Sequence, residues 1–274
     1  MILITAAGGM TGKALVERLI AEGEAVRALV STESNRNSLE SLGAEVLIGD
    51  LIDPIAIEKA LAGIDAIYLM WPNFFEGEFS GATAIIERAL SNSLRIVYHS
   101  VFRPHIEEMP HHWEKMRVEE YLYKTHEDFV ILQPCAYLDN FKKQMRTIQE
   151  KGKCNFPWGI QSSLSYVDLR DVAEVATLAL HGEISSGASI ELCGPQGLSG
   201  IEIARILSKE LGRDIVAEAI SPSVMVDDYS QACFEKMNEY YVKHGFSGSE
   251  TVLERLLGRP ARTFEEWLQN QDLV

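Results

Sequence analysis

Three stretches of this sequence carry side chains able to do chemistry together. The first is the glycine-rich run Ala6-Ala7-Gly8-Gly9-Met10-Thr11-Gly12. Glycines lack a Cβ, so an anion can approach the backbone, and a helix start just behind them offers free N–H groups and a positive dipole end. Such a run suits a pyrophosphate. The second is "PHHWEKMRVEEYLYK", residues 110–124, where His111 precedes Lys115 by four positions. On a helix His111, Lys115, Val118 and Leu122 share one face, and the two apolar members turn that face to the core. A histidine and a lysine at the inner end of such a stripe suit a polar pocket, the histidine moving a proton and the lysine holding a sugar. His112, about 100° further round, is the alternative. A plain surface role for both histidines stays open, because they sit near a helix start. The third is Ser100, placed just past an apolar strand.

These residues need a scaffold, and the alternation of apolar runs supplies one. Ile2–Thr5, Val26–Val30, Glu45–Ile48, Ala66–Met70, Arg95–His99 and Phe129–Leu132 read as strands. Between them Thr11–Glu22, Ser34–Ser41, Pro54–Leu61, Gly81–Ser91 and Pro110–Lys124 read as helices, with Asp53 as an N-cap and Pro54 in the first turn. Strands separated by helices of this length build a parallel sheet with right-handed crossovers. The later chain is less regular. Leu164–Tyr166, Ser189–Cys193 and Ile215–Glu218 read as strands, Val172–His181 and Gly200–Leu211 as helices, and the tail from Ser223 as mostly helical. The stretch Lys151–Gln161, with Gly152, Pro157, Trp158 and Gly159, reads as the crossing between two halves.

In the glycine run, Gly9 leaves room for a diphosphate and Gly12 lets the helix pack close to the sheet. Ala6 stands where the three-glycine dinucleotide pattern begins, and is expected to keep a negative φ, with Gly8 supplying the flexibility. Ser31 and Thr32 end the second strand without the Asp or Glu that binds ribose hydroxyls in NAD-specific folds. With Arg36 they form a candidate site for a 2′-phosphate, so NADP(H) is favoured and NAD(H) possible. Asp50, with Leu51 beside it, either accepts from an adenine amino group or caps its own turn.

The chain has 274 residues, 46% hydrophobic and 24% charged, the profile of a soluble globular protein. Its net charge of −15 repels nucleic acid and anionic membrane. Cys135, Cys154, Cys193 and Cys233 show no paired spacing, which argues against a zinc site or a disulfide framework and fits a cytoplasmic location. A strand that starts at Ile2 leaves no room for a signal peptide, and no apolar run approaches a membrane span. The expected partner is a small molecule, with no nucleic acid, membrane or metal, and a homodimer is possible.

Seven motifs in order resemble the NmrA-like branch of the atypical short-chain dehydrogenases/reductases: "ILITAAGGMTG", "VRALV", "GAEVLIGDLIDP", "GIDAIYLMWP", "FVILQPCAYLDNF", "YVDLRDVAEVA" and "LLGRPARTFEEWL". The resemblance runs from residue 2 to about 268. It implies an α/β fold, a Rossmann-type doubly wound parallel sheet with a smaller α+β C-terminal lobe. The expected division is 1–154 for dinucleotide binding and 155–274 for substrate, with segments at about 164–193 returning to the sheet. The resemblance also implies that Gly9 and Gly12 serve the phosphates, Asp50 the adenine, and Met70, Trp71 and Pro72 the riboses. Pro134, Tyr137 and Asn140 then border the nicotinamide, with Tyr137 a catalytic candidate beside Lys115, His111, His112 and Ser100. Members include quinone oxidoreductases, dye and iminium reductases, and redox-sensing regulators that bind the dinucleotide without turnover.

The ordinary short-chain dehydrogenase pairs a tyrosine with a lysine four residues on, and residues 110–124 lack that pair; Ser100 falls where that fold puts its catalytic serine. Aromatic residues gather on the loops expected to border the nicotinamide: Phe74, Phe75, Phe102, Trp113, Tyr137, Phe141 and Trp158, with Trp71; core packing of about half of them is the alternative. A flat apolar pocket suits a conjugated acceptor such as a quinone or iminium, which needs little acid catalysis. The sequence therefore predicts an NAD(P)H-dependent reductase in which a histidine or a water supplies any proton. A dinucleotide sensor acting through a protein partner is the alternative.

Overall fold

The computed structural model describes residues 1–221 and 224–271. Its centre is a sheet of seven parallel strands: β1 (Ile2–Ile4), β2 (Val26–Val30), β3 (Glu45–Ile48), β4 (Ala66–Leu69), β5 (Arg95–His99), β6 (Phe129–Pro134) and, far along the chain, Ala188–Leu192. The spatial order is Ala188–Leu192, β6, β5, β4, β1, β2, β3. Sequence order reverses between β1 and β4, the switch point at which doubly wound sheets bind ligands. The helices of this half are α1 (Met10–Ala21), α2 (Arg36–Glu40), α3 (Pro54–Leu61), α4 (Glu78–Ser91) and α5 (Pro110–Thr125). The Asp53 side chain accepts from the Ile55 amide at 2.9 Å with Pro54 in the first turn, as the sequence predicts.

Strands buried on both faces need apolar residues on both, and the core divides accordingly. Leu15, Val16 and Leu19 of α1 pack on the face that carries Ile4, Tyr68 and Val97. Ile57, Ala82, Ile85, Val118 and Leu122 of α3, α4 and α5 pack on the opposite face, with Leu3, Ile67 and Tyr98. Side chains alternate along a strand, so Tyr98 and His99, although adjacent, face different helix layers.

The second half is built from α6 (Met145–Lys151), α7 (Leu169–Leu180), α8 (Gly200–Leu211), α9 (Asp228–His244), α10 (Thr251–Leu257) and α11 (Phe264–Gln269). Its strands are β7 (Ala136–Tyr137), β8 (Lys153–Phe156), β9 (Leu164–Val167), β10 (Ala188–Leu192), β11 (Gly197–Leu198) and β12 (Val216–Ala219). Strands β11, β9 and β7 form a three-stranded sheet, and β8 pairs with β12 in parallel. The Lys151–Gln161 stretch is thus partly a strand rather than a plain crossing. Its apolar content is too low to announce pairing with a segment some 60 residues away. Ser223, where the sequence reading starts the helical tail, lies outside the described residues. The closing segment is tied to α7 through Asp171, whose buried carboxylate accepts from Arg259 Nη2 at 2.9 Å and from the Arg262 amide at 2.8 Å. No helix among the described residues is long and apolar enough to cross a membrane.

Candidate functional site

The glycine run lies between β1 and α1, at the carboxyl end of the sheet. Ala6 has φ 48°, in the left-handed region, while Gly8 does not. The expectation of a negative φ at Ala6 is therefore wrong. The chain turns at the alanine itself, at a steric cost of roughly 1–2 kcal/mol. An added Cβ at Gly8 would meet the end of the Asn35 side chain at 2.4 Å, so Asn35 would have to move aside. A Cβ at Gly12 would lie 2.6 Å from Ala7 Cα, which fixes how tightly α1 packs on β1. At Gly9 the added Cβ would meet only Ala6 O, at 3.9 Å, so the loop is open there. Gly9 caps α1 with no side-chain hydrogen bond, and the first turn holds no acidic residue. Among the described residues the leading amides of this 12-residue helix have no side-chain cap, which fits a dinucleotide diphosphate.

The Thr5 hydroxyl joins this loop to the end of β4, donating to Met70 O at 2.7 Å and accepting from the Met70 amide at 2.7 Å. Trp71 follows, largely buried, its indole set against Gly81 of α4, where any Cβ would fall 2.0 Å from the ring. Among the described residues the Trp71 Nε1 has no hydrogen-bond partner. An unpaired buried N–H at the strand ends fits a ribose hydroxyl. Pro72 is exposed. A cleft of about 220 Å³ lies between Leu51, Ile52, Pro54 and Ile57 on one side and Ser80, Gly81, Ala84, Ile85 and Arg88 on the other. Asp50, the neighbour of Leu51, accepts from the Ile52 amide at 3.1 Å through Oδ1 and so caps its own turn.

Ser31 and Thr32 are exposed at the end of β2. Arg36 is not free: it donates to Glu33 at 2.5 Å and to Glu40 at 2.9 Å. The sequence reading passed over Glu33, the one acid next to the strand end.

Two buried carboxylates organise the residues on α5. Lys115 Nζ donates to Glu78 Oε1 at 2.6 Å, and Tyr98 Oη donates to the same atom at 2.7 Å. Glu119 accepts from Gln133 Nε2 at 2.8 and 3.0 Å and from the Ser100 hydroxyl. Burial pushes the Glu119 carboxyl up, against those two hydrogen bonds. Ser100 therefore spends its proton on Glu119 and has only acceptor capacity left. His111 and His112 are buried, which removes the surface reading. Burial pushes the His111 imidazole well below its ordinary range, helped by His112 and the Lys115 charge, and its Nδ1 has no partner among the described residues. Burial also holds His112 at about 3, although its Nδ1 donates to Arg103 O at 3.2 Å, which works the other way. Both are neutral imidazoles at physiological pH.

At the end of β6, Pro134 is buried and leads to Tyr137, half-buried, and Asn140, exposed. Tyr137 Oη lies 2.7 Å from His99 Nε2, and His99 Nδ1 lies 2.6 Å from Tyr68 Oη. His99 and Tyr68 were not singled out from the sequence. The signal was a polar ring at an inward position of each of two apolar strands, "AIYL" and "RIVYH".

The aromatic cluster divides. Phe74 has φ 58°, packs edge-on to His111 at 4.7 Å, and its carbonyl accepts from Ser230 of α9 at 2.8 Å. Phe75 stacks edge-on to Trp71 and is half exposed, and Trp113 is partly exposed. Trp158 is half-buried against Phe156 and Tyr241. Phe102 and Phe141 do not line an open surface. Phe102 is fully buried on Phe246 at 4.9 Å, and Phe141 packs among Tyr166, Phe156 and Phe264. Their expected substrate role is corrected to core packing, because the C-terminal half brings its own aromatic residues against them. A separate depression of about 490 Å³, lined by Arg103, Ser163, His244 and Ser247 among others, contains none of the residues expected at the site.

The profile described as the NmrA-like family matches residues 1–268. An NAD(P)H azoreductase of Xenophilus azovorans is 27% identical, over 97% of this chain and 96% of that protein. Among solved structures, the NADPH-dependent quinone oxidoreductase of Escherichia coli in complex with NADPH superposes with a TM-score of 0.82 at 21% identity, covering 98% of this chain and 99% of the other. The Citrobacter sp. triphenylmethane reductase in complex with NADP(H) also gives 0.82, at 20% identity over 99% and 100% of the two chains.

Proposed function

The chain belongs to the NmrA-like family, and from that premise we propose that it is an NAD(P)H-dependent reductase of a conjugated small molecule, a quinone, iminium or related acceptor, with NADP(H) favoured. The observation that carries the reading is the uncapped start of α1 behind an open glycine loop, at the switch point of the sheet. The full-length similarity to reductases of azo compounds, quinones and dyes supports it.

In this reading Gly9, Met10, Thr11 and Gly12 hold the diphosphate through backbone amides. Ser31, Thr32 and Arg36 hold the 2′-phosphate, and Asp50 and Leu51 border the adenine. Met70, Trp71 and Pro72 pack along the riboses, with Lys115 using the ammonium protons that Glu78 leaves. Pro134 and Asn140 border the nicotinamide. Bound there, the dinucleotide supplies a hydride. Phe74, Phe75, Trp113, Tyr137 and Trp158 then position a planar acceptor and exclude water. The division at 154/155 belongs to the same reading, with β10 returning to the main sheet in its favour. So does a cytoplasmic location, supported by four buried free cysteines. A homodimer is a further expectation, which light scattering measures.

The test is NADPH oxidation against a panel of quinones, azo dyes, triphenylmethane dyes and imines. Turnover of at least one class supports the reading. Tight NADPH binding with no turnover would favour a dinucleotide sensor.

A further inference from the structure

Tyr68, His99 and Tyr137 form a chain of hydrogen bonds that runs from the interior of the sheet to its carboxyl end. Tyr68 Oη is 2.6 Å from His99 Nδ1, and His99 Nε2 is 2.7 Å from Tyr137 Oη. Tyr68 is fully buried, His99 nearly so, and Tyr137 half-buried. None of this is needed to hold the strands, whose ladder is formed by backbone groups alone.

The direction of the chain follows from its buried end. Among the described residues the Tyr68 hydroxyl has one hydrogen-bond partner, His99 Nδ1. A fully buried O–H must donate, or it loses its water without compensation. Tyr68 therefore donates to Nδ1. Burial holds His99 at about 3, helped by the Lys115 charge, so the ring is neutral and carries one proton. With Nδ1 accepting, that proton is on Nε2, and Nε2–H donates to Tyr137 Oη. The Tyr137 hydroxyl proton is then left for a group outside the chain. The Thr11 hydroxyl, from the first turn of α1, also bears on the Tyr137 oxygen and favours its ionised form, against burial, which disfavours it.

We propose that Tyr137 is the proton donor for neutral acceptors, and that His99, locked in its Nε2–H tautomer by Tyr68, is the positioning residue that aims it. The inference deepens the reductase reading and rests on it. A neutral quinone or azo compound that has accepted a hydride carries one negative charge on oxygen or nitrogen. The Tyr137 O–H bond breaks, its proton passes to that heteroatom, and the electron pair stays on the phenol oxygen. There His99 Nε2–H and the Thr11 hydroxyl stabilise it until a solvent proton restores the phenol. A cationic acceptor, such as a triphenylmethane dye, is neutralised by the hydride and needs no proton. One chain thereby serves both acceptor types without a tyrosine–lysine pair four residues apart on α5, and Tyr137 takes the place of the histidine or water as the proton source.

Two measurements test this. The first is nitrogen-15 NMR of histidine-labelled free protein, with His99→Gln to assign the signal. The expected result is the Nε2–H tautomer in the wild type and a mixture of tautomers in Tyr68→Phe. The second is steady-state kinetics with one neutral quinone and one cationic triphenylmethane dye. Tyr137→Phe is expected to lower kcat for the quinone by about 10²-fold, the lower range for a lost general acid. Tyr68→Phe should lower it less, and the double variant no further than Tyr137→Phe alone. Tyr137→Phe should lower kcat for the dye far less than for the quinone, so the ratio of the two losses carries the result. An Nδ1–H tautomer in the wild type, an unchanged quinone kcat in Tyr68→Phe, or equal losses on both acceptors would overturn the proposal. Absence of wild-type turnover on any acceptor would refute the reductase reading, and the donor role with it, whatever the tautomer.

Discussion

The ammonium of Lys115 lies 2.6 Å from the carboxylate of Glu78, with both side chains at most 6% exposed. Tyr98 donates to the same carboxylate oxygen, so Glu78 is doubly satisfied. The pair joins α4 to α5 beside the strand ends. Lys115 thereby sits at a defined place even without a ligand, and its charge helps keep His99 and His111 neutral.

Breaking a buried pair leaves one charge uncompensated, typically at a cost of about 3–5 kcal/mol. Glu78→Gln keeps the shape and removes the charge, so it should destabilise the protein toward the lower end of that range. A Lys115→Met/Glu78→Gln double variant should recover most of the loss. Urea denaturation of the two variants and the wild type reads this out. Equal stability of Glu78→Gln and wild type would show that the pair is solvated in solution.

Gly12 tests the glycine loop. Any side chain there meets the Ala7 backbone, with a Cβ 2.6 Å from its Cα. Gly12→Val must push α1 off β1 and spoil the amide cradle. The expected outcome is loss of NADPH binding by calorimetry with the fold retained by circular dichroism. Unchanged affinity would contradict the assignment.

Arg36 sits between Glu33 and Glu40 on the surface. Exposed ion pairs are screened and hold weakly, whereas a 2′-phosphate forms charge-assisted bonds to a guanidinium. The phosphate should therefore draw Arg36 from its partners. Arg36→Ala is expected to weaken NADPH binding about tenfold or more with NADH unchanged, and Glu33→Gln to tighten NADPH several-fold. Equal effects of Arg36→Ala on both dinucleotides would remove Arg36 from the site.

Acid should destabilise the fold through its buried histidines. His99 and His112 titrate at about 3 when folded and at 6.5 ordinarily. In the unfolded chain they gain protons as pH falls through 6.5, while the folded forms stay neutral until about 3. Stability is thus fully present above 6.5 and lost between 6.5 and 3, at about 1.4 kcal/mol per pH unit for each histidine. Urea denaturation at about pH 7.5 and about pH 5.5 measures the slope, and His112→Gln should flatten it. A wild-type stability flat across that interval would contradict buried neutral rings.

The strand–helix order of residues 2–134 was legible because both periodicities are strong there and the caps are explicit, as at Asp53-Pro54. The face of α5 carrying His111, Lys115, Val118 and Leu122 was legible for the same reason. What the sequence hid depends on long-range partners. Nothing near Lys115 announces Glu78, 37 residues earlier, and nothing near His99 announces Tyr137. The pairing of β8 with β12 is likewise a contact between distant segments, which overrides local preference. Phe102 and Phe141 were misplaced because a loop aromatic looks the same whether it lines a cleft or fills a core.

The central claim, hydride transfer from a bound dinucleotide to a conjugated acceptor, is tested most directly by stopped-flow single turnover with NADPH deuterated at the transferring position of the nicotinamide. The account predicts a slowed oxidation relative to unlabelled NADPH. With a triphenylmethane dye it predicts a leuco product bearing one deuterium on its central carbon, read by mass spectrometry. Stoichiometric NADPH binding with no oxidation by quinone, azo, imine or triphenylmethane acceptors would contradict it.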